Sequence, residues 1–264
     1  MTRSEKSCAT KASEWILIAV LVWAFWEPIT QIPFALKNAP FALDYIARMI
    51  PPDLTIMPRL IGPTLETLQM AIVGTVLSTA IALPLSFLAA RNTAPNGAIS
   101  AITRGLLNFL RSMPVMVWAL LFVSMSGLGI LAGVFGITCH VTGAIGKVFS
   151  EYIETTGPKI QEVMEAMRID GATERQIMRH GLFPEILPLF TAYTLYRFES
   201  TIRTSTIMGL VGAGGLGLEL TMAIRMFRRK EALAIILVIL GLVALVDYAS
   251  GIIRKRIMQK GGYE

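Results

Sequence analysis

Charge is what this sequence has least of. Only 16% of its 264 residues are Asp, Glu, Lys or Arg, against about a quarter in soluble domains. The shortage is concentrated: no charged residue lies between Glu66 and Arg91, between Arg111 and Lys147, or between Arg203 and Glu219. A helix crossing the hydrocarbon core needs about 20 apolar residues, and the first two gaps exceed that. With 54% hydrophobic residues and a mean hydropathy of +0.61, the chain reads as all-α, a polytopic helical membrane protein. A water-soluble domain is excluded.

Cysteine and histidine are scarce too. Cys8 in a polar tail and Cys139 in an apolar run supply neither a disulfide framework nor metal-ligand spacing; Cys139 reads as a small buried hydrophobe. His140 and His180 stand forty residues apart, and no H-E-x-x-H occurs, which argues against a metal-dependent intramembrane enzyme. There is no P-loop: Gly146-Lys147 is followed by Val148, and no glycine lies five before Gly146. Strand-type alternation is also missing. The G-x-G-x-x-G of VGAGGLGLEL, with Gly212, Gly214 and Gly217, therefore lacks the strand and βαβ context of a dinucleotide fingerprint. The net charge of +6 does not indicate nucleic acid, because the basic residues cluster beside apolar runs, as the positive-inside rule expects.

What is present is a series of about six spans. The first, WILIAVLVWAFW at Trp15 to Trp26, reads as a short anchor with Trp at both interfaces. Thr67 to Ala90 is long enough to cross. The 35 uncharged residues from Ser112 to Gly146 are too many for one helix and divide within Gly127 to Gly136. A fifth span runs from about Pro184 to Met208, and a sixth from Ala232 to Ile253. Six spans put both termini on one side, which carries fourteen basic residues (among them Arg91, Arg104, Arg111, Arg168, Arg179, Arg254 and Lys255) against seven opposite. That bias makes the termini cytoplasmic. Residues 1–60 then comprise a tail, an anchor helix and an outer segment, and residues 61–264 a membrane domain.

The longest inward loop, about 154–184, contains EAMRIDGATERQIMRHGLFP. Glu165 and Ala166 open an amphipathic helix with Val163, Met164 and Met167 on its apolar side. Gly171 supplies a break, where the absence of Cβ permits a left-handed turn. Thr173 with Gln176 has capping-box spacing, and Pro184 admits the chain to the next span. Two short helices at a bend suit insertion into a partner's groove; an amphipathic hairpin lying on headgroups is the other reading.

The fifth span, EILPLFTAYTLYRFESTIRTSTIMGL, carries charges that an apolar medium disfavours. Arg197, thirteen residues past Pro184, lies about 20 Å along a helix. Intramembrane ionisable groups mark pathways by default. Glu199 and Arg203 share a face with Tyr196 and Ser200, whereas Arg197 points about 160° away from Glu199. On one reading Glu199 and Arg203 neutralise each other and Arg197 pairs elsewhere. On the other, two arginines against one carboxylate favour passage of a tetrahedral oxyanion through forked hydrogen bonds. His140 is a further donor, or else an interhelical hydrogen bond. Asp247 reads as a structural bond to another helix.

Two segments resemble a known family. Glu-Ala, a glycine six residues after Glu165 and a proline thirteen after Gly171 resemble the EAA loop of ABC importer permeases, with departures at Met167 and Gly181. LYRFESTIRTSTIMGLVGAGGLG, Leu195 to Gly217, together with RSMPVMVWALLFV, Arg111 to Val123, is similar to phosphonate ABC permeases of the PhnE type, to which phosphite and hypophosphite permeases are related. The resemblance implies a type I, MetI-like fold in the bacterial inner membrane and a second permease copy. It implies ATPase subunits that bind ATP-Mg and grip the loop at Glu165, Ala166, Gly171 and Pro184, with no cofactor in this chain. It also implies an extracytoplasmic phosphonate- or phosphite-binding protein that delivers the solute. Arg197, Glu199, Arg203, Tyr196, Ser200 and His140 become candidate path residues. Gly212, Gly214, Gly215 and Gly217 become a candidate outer gate, with a tight interhelical turn as the plainer alternative. Permeases for methionine or phosphate keep the fold and change the cargo. A secondary transporter would show inverted repeats, and no second glycine-rich segment occurs.

Overall fold

The computed structural model describes residues 3–155 and 158–260, and among them every regular element is helical. The chain divides into two compact units, Met1–Pro51 and Pro52–Glu264.

The first unit is one helix, α1, Arg3–Ala47. The expected twelve-residue anchor is therefore too short: the apolar helix continues through Pro28, Pro33 and Pro40 and supplies a candidate span at Glu14–Ala47. Proline punctuates soluble helices, but in a medium without water the backbone has no better option than to stay helical.

The second unit is organised around α5, Ile130–Glu154, which packs against α2 (Met57–Ala89), α3 (Gly97–Ser112), α4 (Val115–Ser126) and α8 (Phe183–Met208). Small residues on α5 allow this crowding. A Cβ on Gly143 would sit 2.6 Å from the Leu107 carbonyl and 2.7 Å from the Arg111 nitrogen, so α3 and α5 meet backbone to backbone, the packing small residues permit in membranes. Towards α8 the contact is aromatic: Phe149 stacks on Phe190 with ring centroids 3.7 Å apart. The buried core follows the same line, through Ile137, Val141, Ile145, Phe149 and Ile153 of α5. The last helices, α9 (Gly215–Arg225) and α10 (Arg229–Lys260), pack on α8 and on each other.

Four described helices are long and apolar enough to cross a membrane, or six if each of two bent pairs is one span. The bent pairs revise the expected boundaries. The third span does not run straight from Arg111: α3 and α4 meet at 86°, across a break at Met113 and Pro114. At 12 residues, α4 is about 18 Å long and cannot cross alone. The segment from Gly97, to which the span assignment gave no element, is α3, N-capped by Asn96, whose side chain accepts from Ile99 N at 2.8 Å. Its apolar and polar faces suit the membrane surface. The turn into the next span lies at Gly127 and Gly129, with φ of 81° and 138°. The second bent pair, α8 and α9, turns by 44° at the glycine-rich segment.

Candidate functional site

The loop around Gly171 forms the hairpin its spacing predicts. Helix α6, Pro158–Ile169, ends where Ala172 N–H donates to the Met167 carbonyl at 2.9 Å and Gly171 N–H to that of Arg168 at 3.0 Å, the bond pair of a Schellman motif. Gly171 has φ of 82°, and a Cβ there would meet nothing within 4 Å; the glycine serves the turn, not packing. Across the bend, Gln176 Oε1 accepts from Thr173 N and from its hydroxyl, both at 2.8 Å. This is half of the expected capping box, since the hydroxyl goes to the Gln176 side chain rather than to its backbone. Glu165, Ala166, Gly171 and Pro184 are exposed, and Ile169 at the tip is 86% exposed. The side chains of Val163 and Met164 lie outside the described residues. Helix α7, Glu174–Ile177, passes through a π turn, Met178–Leu182, into α8.

On α8 the structure separates the charges that the sequence put together. Arg203 does not pair with Glu199. Its Nη1 reaches Asp247 Oδ1 at 3.0 Å and Oδ2 at 2.9 Å on α10, and Glu199, 7% exposed, is met by Arg254 Nη1 at 3.4 Å. Asp247 is the interhelical bond expected of it. Arg197 shares its face with Tyr193 and Phe190 and looks towards α5. Its Nε is buried without a hydrogen-bond partner, and among the described residues no carboxylate pairs with it. His140, on α5, hydrogen-bonds through Nδ1 to the Met113 carbonyl at 3.0 Å, which ties it to the α3–α4 break. Ser200 accepts through its carbonyl from the Thr204 hydroxyl at 3.0 Å, and Tyr196 stands beside Tyr193 with ring centroids 5.9 Å apart.

The glycine-rich turn lies between α8 and α9, so α9 continues for 11 residues beyond it. Gly212, Gly214 and Gly215 have φ of 89°, 87° and 69°. A Cβ on Gly217 would stand 1.7 Å from the Thr206 carbonyl; no other residue fits. The amides freed at the start of α9 are taken up from α2: Gly215 N donates to Glu66 Oε2 at 2.8 Å and Leu216 N to Thr67 Oγ1 at 2.9 Å.

The site thus combines a two-helix hairpin around Gly171, charge pairs between α8 and α10, and an irregular glycine turn. Residues 82–259 match the family described as binding-protein-dependent transport system inner membrane component. The chain belongs to that family. The permease is 38% identical over 241 residues to the phosphite transport system permease protein PtxC of Stutzerimonas stutzeri, covering 91% of this chain and 86% of that one. It is 38% identical over 239 residues to the phosphate-import permease protein PhnE of Mycolicibacterium smegmatis, covering 89% of this chain and 43% of that one. Among solved structures it resembles the MetNI methionine ABC transporter in an inward-facing conformation, with TM-score 0.67, 23% identity, and 78% and 99% of the two chains covered. That likeness establishes the MetI-like fold.

Several residues of the permease escaped sequence reasoning. Glu66 served only to mark the edge of an uncharged run, yet it caps α9 from 149 residues away; nothing local announces such a contact. Arg254 counted only as a cytoplasmic charge, yet it neutralises Glu199. Arg104 pairs with Glu154 and donates through Nε to the Ala89 carbonyl at 2.9 Å. Asn92 Nδ2 reaches the Ile153 carbonyl at 2.8 Å, so α2, α3 and α5 are clamped together at the mouth of the hairpin.

Proposed function

We propose that this chain is the permease subunit of an ATP-driven importer carrying phosphonate or a related phosphorus oxyanion, such as phosphite or hypophosphite. The observation that carries the reading is Arg197 of α8, whose Nε is buried without a hydrogen-bond partner and which no carboxylate among the described residues meets. With Arg203 held by Asp247 and Glu199 by Arg254, Arg197 remains for an anionic cargo. The names of the two relatives support phosphorus oxyanions as a class, and the phosphate-import relative favours phosphate as a second reading.

The mechanism is alternating access. Partner ATPase subunits bind ATP-Mg, close, and draw together two hairpins, one from each of two permease copies. Glu165, Ala166 and Gly171 dock with the apolar Ile169 tip, and Pro184 passes the displacement into α8. The turn of Gly212, Gly214, Gly215 and Gly217 then opens as the outer gate, and an extracytoplasmic binding protein releases its solute to the path. The chain breaks no bond and holds no cofactor. It works in the bacterial inner membrane with both termini cytoplasmic, residues 1–60 forming the tail, anchor and outer segment and 61–264 the permease domain.

Uptake into proteoliposomes holding the whole complex tests this. Phosphite and methylphosphonate should compete with labelled substrate at lower concentration than phosphate does. Uptake indifferent to all three would remove the cargo assignment.

A further inference from the structure

Arg111 and Arg197, on α3 and α8, belong to helices that both pack against α5. Arg111 ends α3 at the 86° break, where its backbone lies against Gly143 of α5. Arg197 approaches the same α5 face from α8. Each guanidinium lies close enough to act electrostatically on both the His140 ring and the Tyr193 phenol. Arg111 is exposed and Arg197 half-buried, and His140 of α5 is tied to Met113, two residues past Arg111. Among the described residues neither arginine has a carboxylate partner.

The histidine between them has a defined tautomer. The Met113 carbonyl can only accept, so the nitrogen 3.0 Å from it, Nδ1, carries the proton. In the neutral ring Nε2 is then an acceptor. Tyr193 stands among Tyr152 at 6.3 Å, Tyr196 at 5.9 Å and Phe149 at 6.2 Å between ring centroids. Phe149 is fully buried, and its apolar ring strengthens an ion contact made beside it.

We propose that Arg111, Arg197 and His140 form an anion-binding station in the translocation path, which takes a singly protonated phosphorus oxyanion. The guanidiniums bind its P–O⁻ oxygens through forked N–H donors, and His140 Nε2 accepts from its P–OH. A fully esterified or uncharged solute has neither feature and is passed over. The station rests on the phosphorus-oxyanion reading given above and adds to it the residues that hold the cargo, Arg111 foremost.

The test uses the permease with its ATPase subunits in nanodiscs, without the binding protein, and methylphosphonate as the ³¹P NMR probe. The complete complex in proteoliposomes is assayed alongside. The wild-type complex should broaden the ³¹P line saturably. R111Q and R197Q should each weaken that binding at least tenfold while retaining ATPase activity stimulated by the binding protein, and R111K should recover part of it. R225Q, at the far end of α9, should behave as wild type. Unchanged binding and uptake in the R111Q/R197Q double variant, with wild-type uptake of methylphosphonate intact, would overturn the station and leave the cargo reading standing. Absence of uptake of any phosphorus oxyanion by the wild-type complex would overturn both.

Discussion

Arg203 and Asp247, 44 residues apart in sequence, meet through one guanidinium nitrogen and both carboxylate oxygens, at 3.0 and 2.9 Å. They join α8 to α10 within the span. A charge left alone at membrane depth costs about 3 kcal/mol on insertion scales, so each partner makes the other tolerable. Arg203→Gln or Asp247→Asn should lower the yield of assembled complex several-fold. The exchange Arg203→Asp with Asp247→Arg should restore it. Size-exclusion profiles of the solubilised complex report this, and an exchange that recovers nothing would show that the pair does not hold the helices.

The glycine turn offers a steric test. Gly217→Ala drives a Cβ into the Thr206 carbonyl, whereas at Gly62 a Cβ meets nothing within 4 Å. Overpacking of this kind costs about 1–3 kcal/mol. Gly217→Ala should lower the thermal midpoint of the detergent-solubilised complex by several degrees, and Gly62→Ala should leave it unchanged or raise it slightly.

At Gly171 the requirement is the φ of 82°. An L-residue there costs about 1–2 kcal/mol, which falls on the hairpin rather than on the core. Gly171→Val should therefore leave the complex assembled and hydrolysing ATP while uptake falls at least fivefold. Gly171→Asn, the residue that best tolerates the left-handed region, should lose least. Glu165→Arg should uncouple in the same manner. Parallel ATPase and uptake assays separate these outcomes from simple misfolding.

Glu66 places a carboxylate against the amide end of α9, an arrangement worth about 0.3–1 kcal/mol at a surface and up to about 2 when partly buried. Glu66→Gln keeps an acceptor and loses the charge; Glu66→Leu loses both. Hydrogen exchange at Gly215 and Leu216 should quicken in that order. Equal protection in all three proteins would show that the cap contributes nothing.

How far the sequence discloses this architecture depends on the range of the signals. The uncharged runs give α2 and α5, and the apolar run around a single Asp247 gives α10, because lipid imposes a composition along the whole of a span. The hairpin is legible because Gly171 and the Thr173–Gln176 pair act within a few residues of themselves. The 86° break is not: Val115 to Val123 is apolar throughout, and Pro114 before it is also compatible with an ordinary helix start. The ion pairs were the hardest. Helical spacing correctly put Glu199 and Arg203 on one face, but their partners, Arg254 and Asp247, are chosen by how α10 lies across α8, which no local pattern encodes.

The π turn at Met178–Leu182, where Phe183 N–H bonds back to the Met178 carbonyl, connects the hairpin to α8. Such a turn holds one residue more than an α-helix needs. Moving that surplus residue along the helix rotates the stretch it passes by about 100° and shifts it by about 1.5 Å, with few bonds remade. If the hairpin couples to ATPase subunits as proposed above, a bulge driven past Arg197 would deliver the thrust there as a screw motion of the helix, turning the guanidinium rather than tilting the whole span.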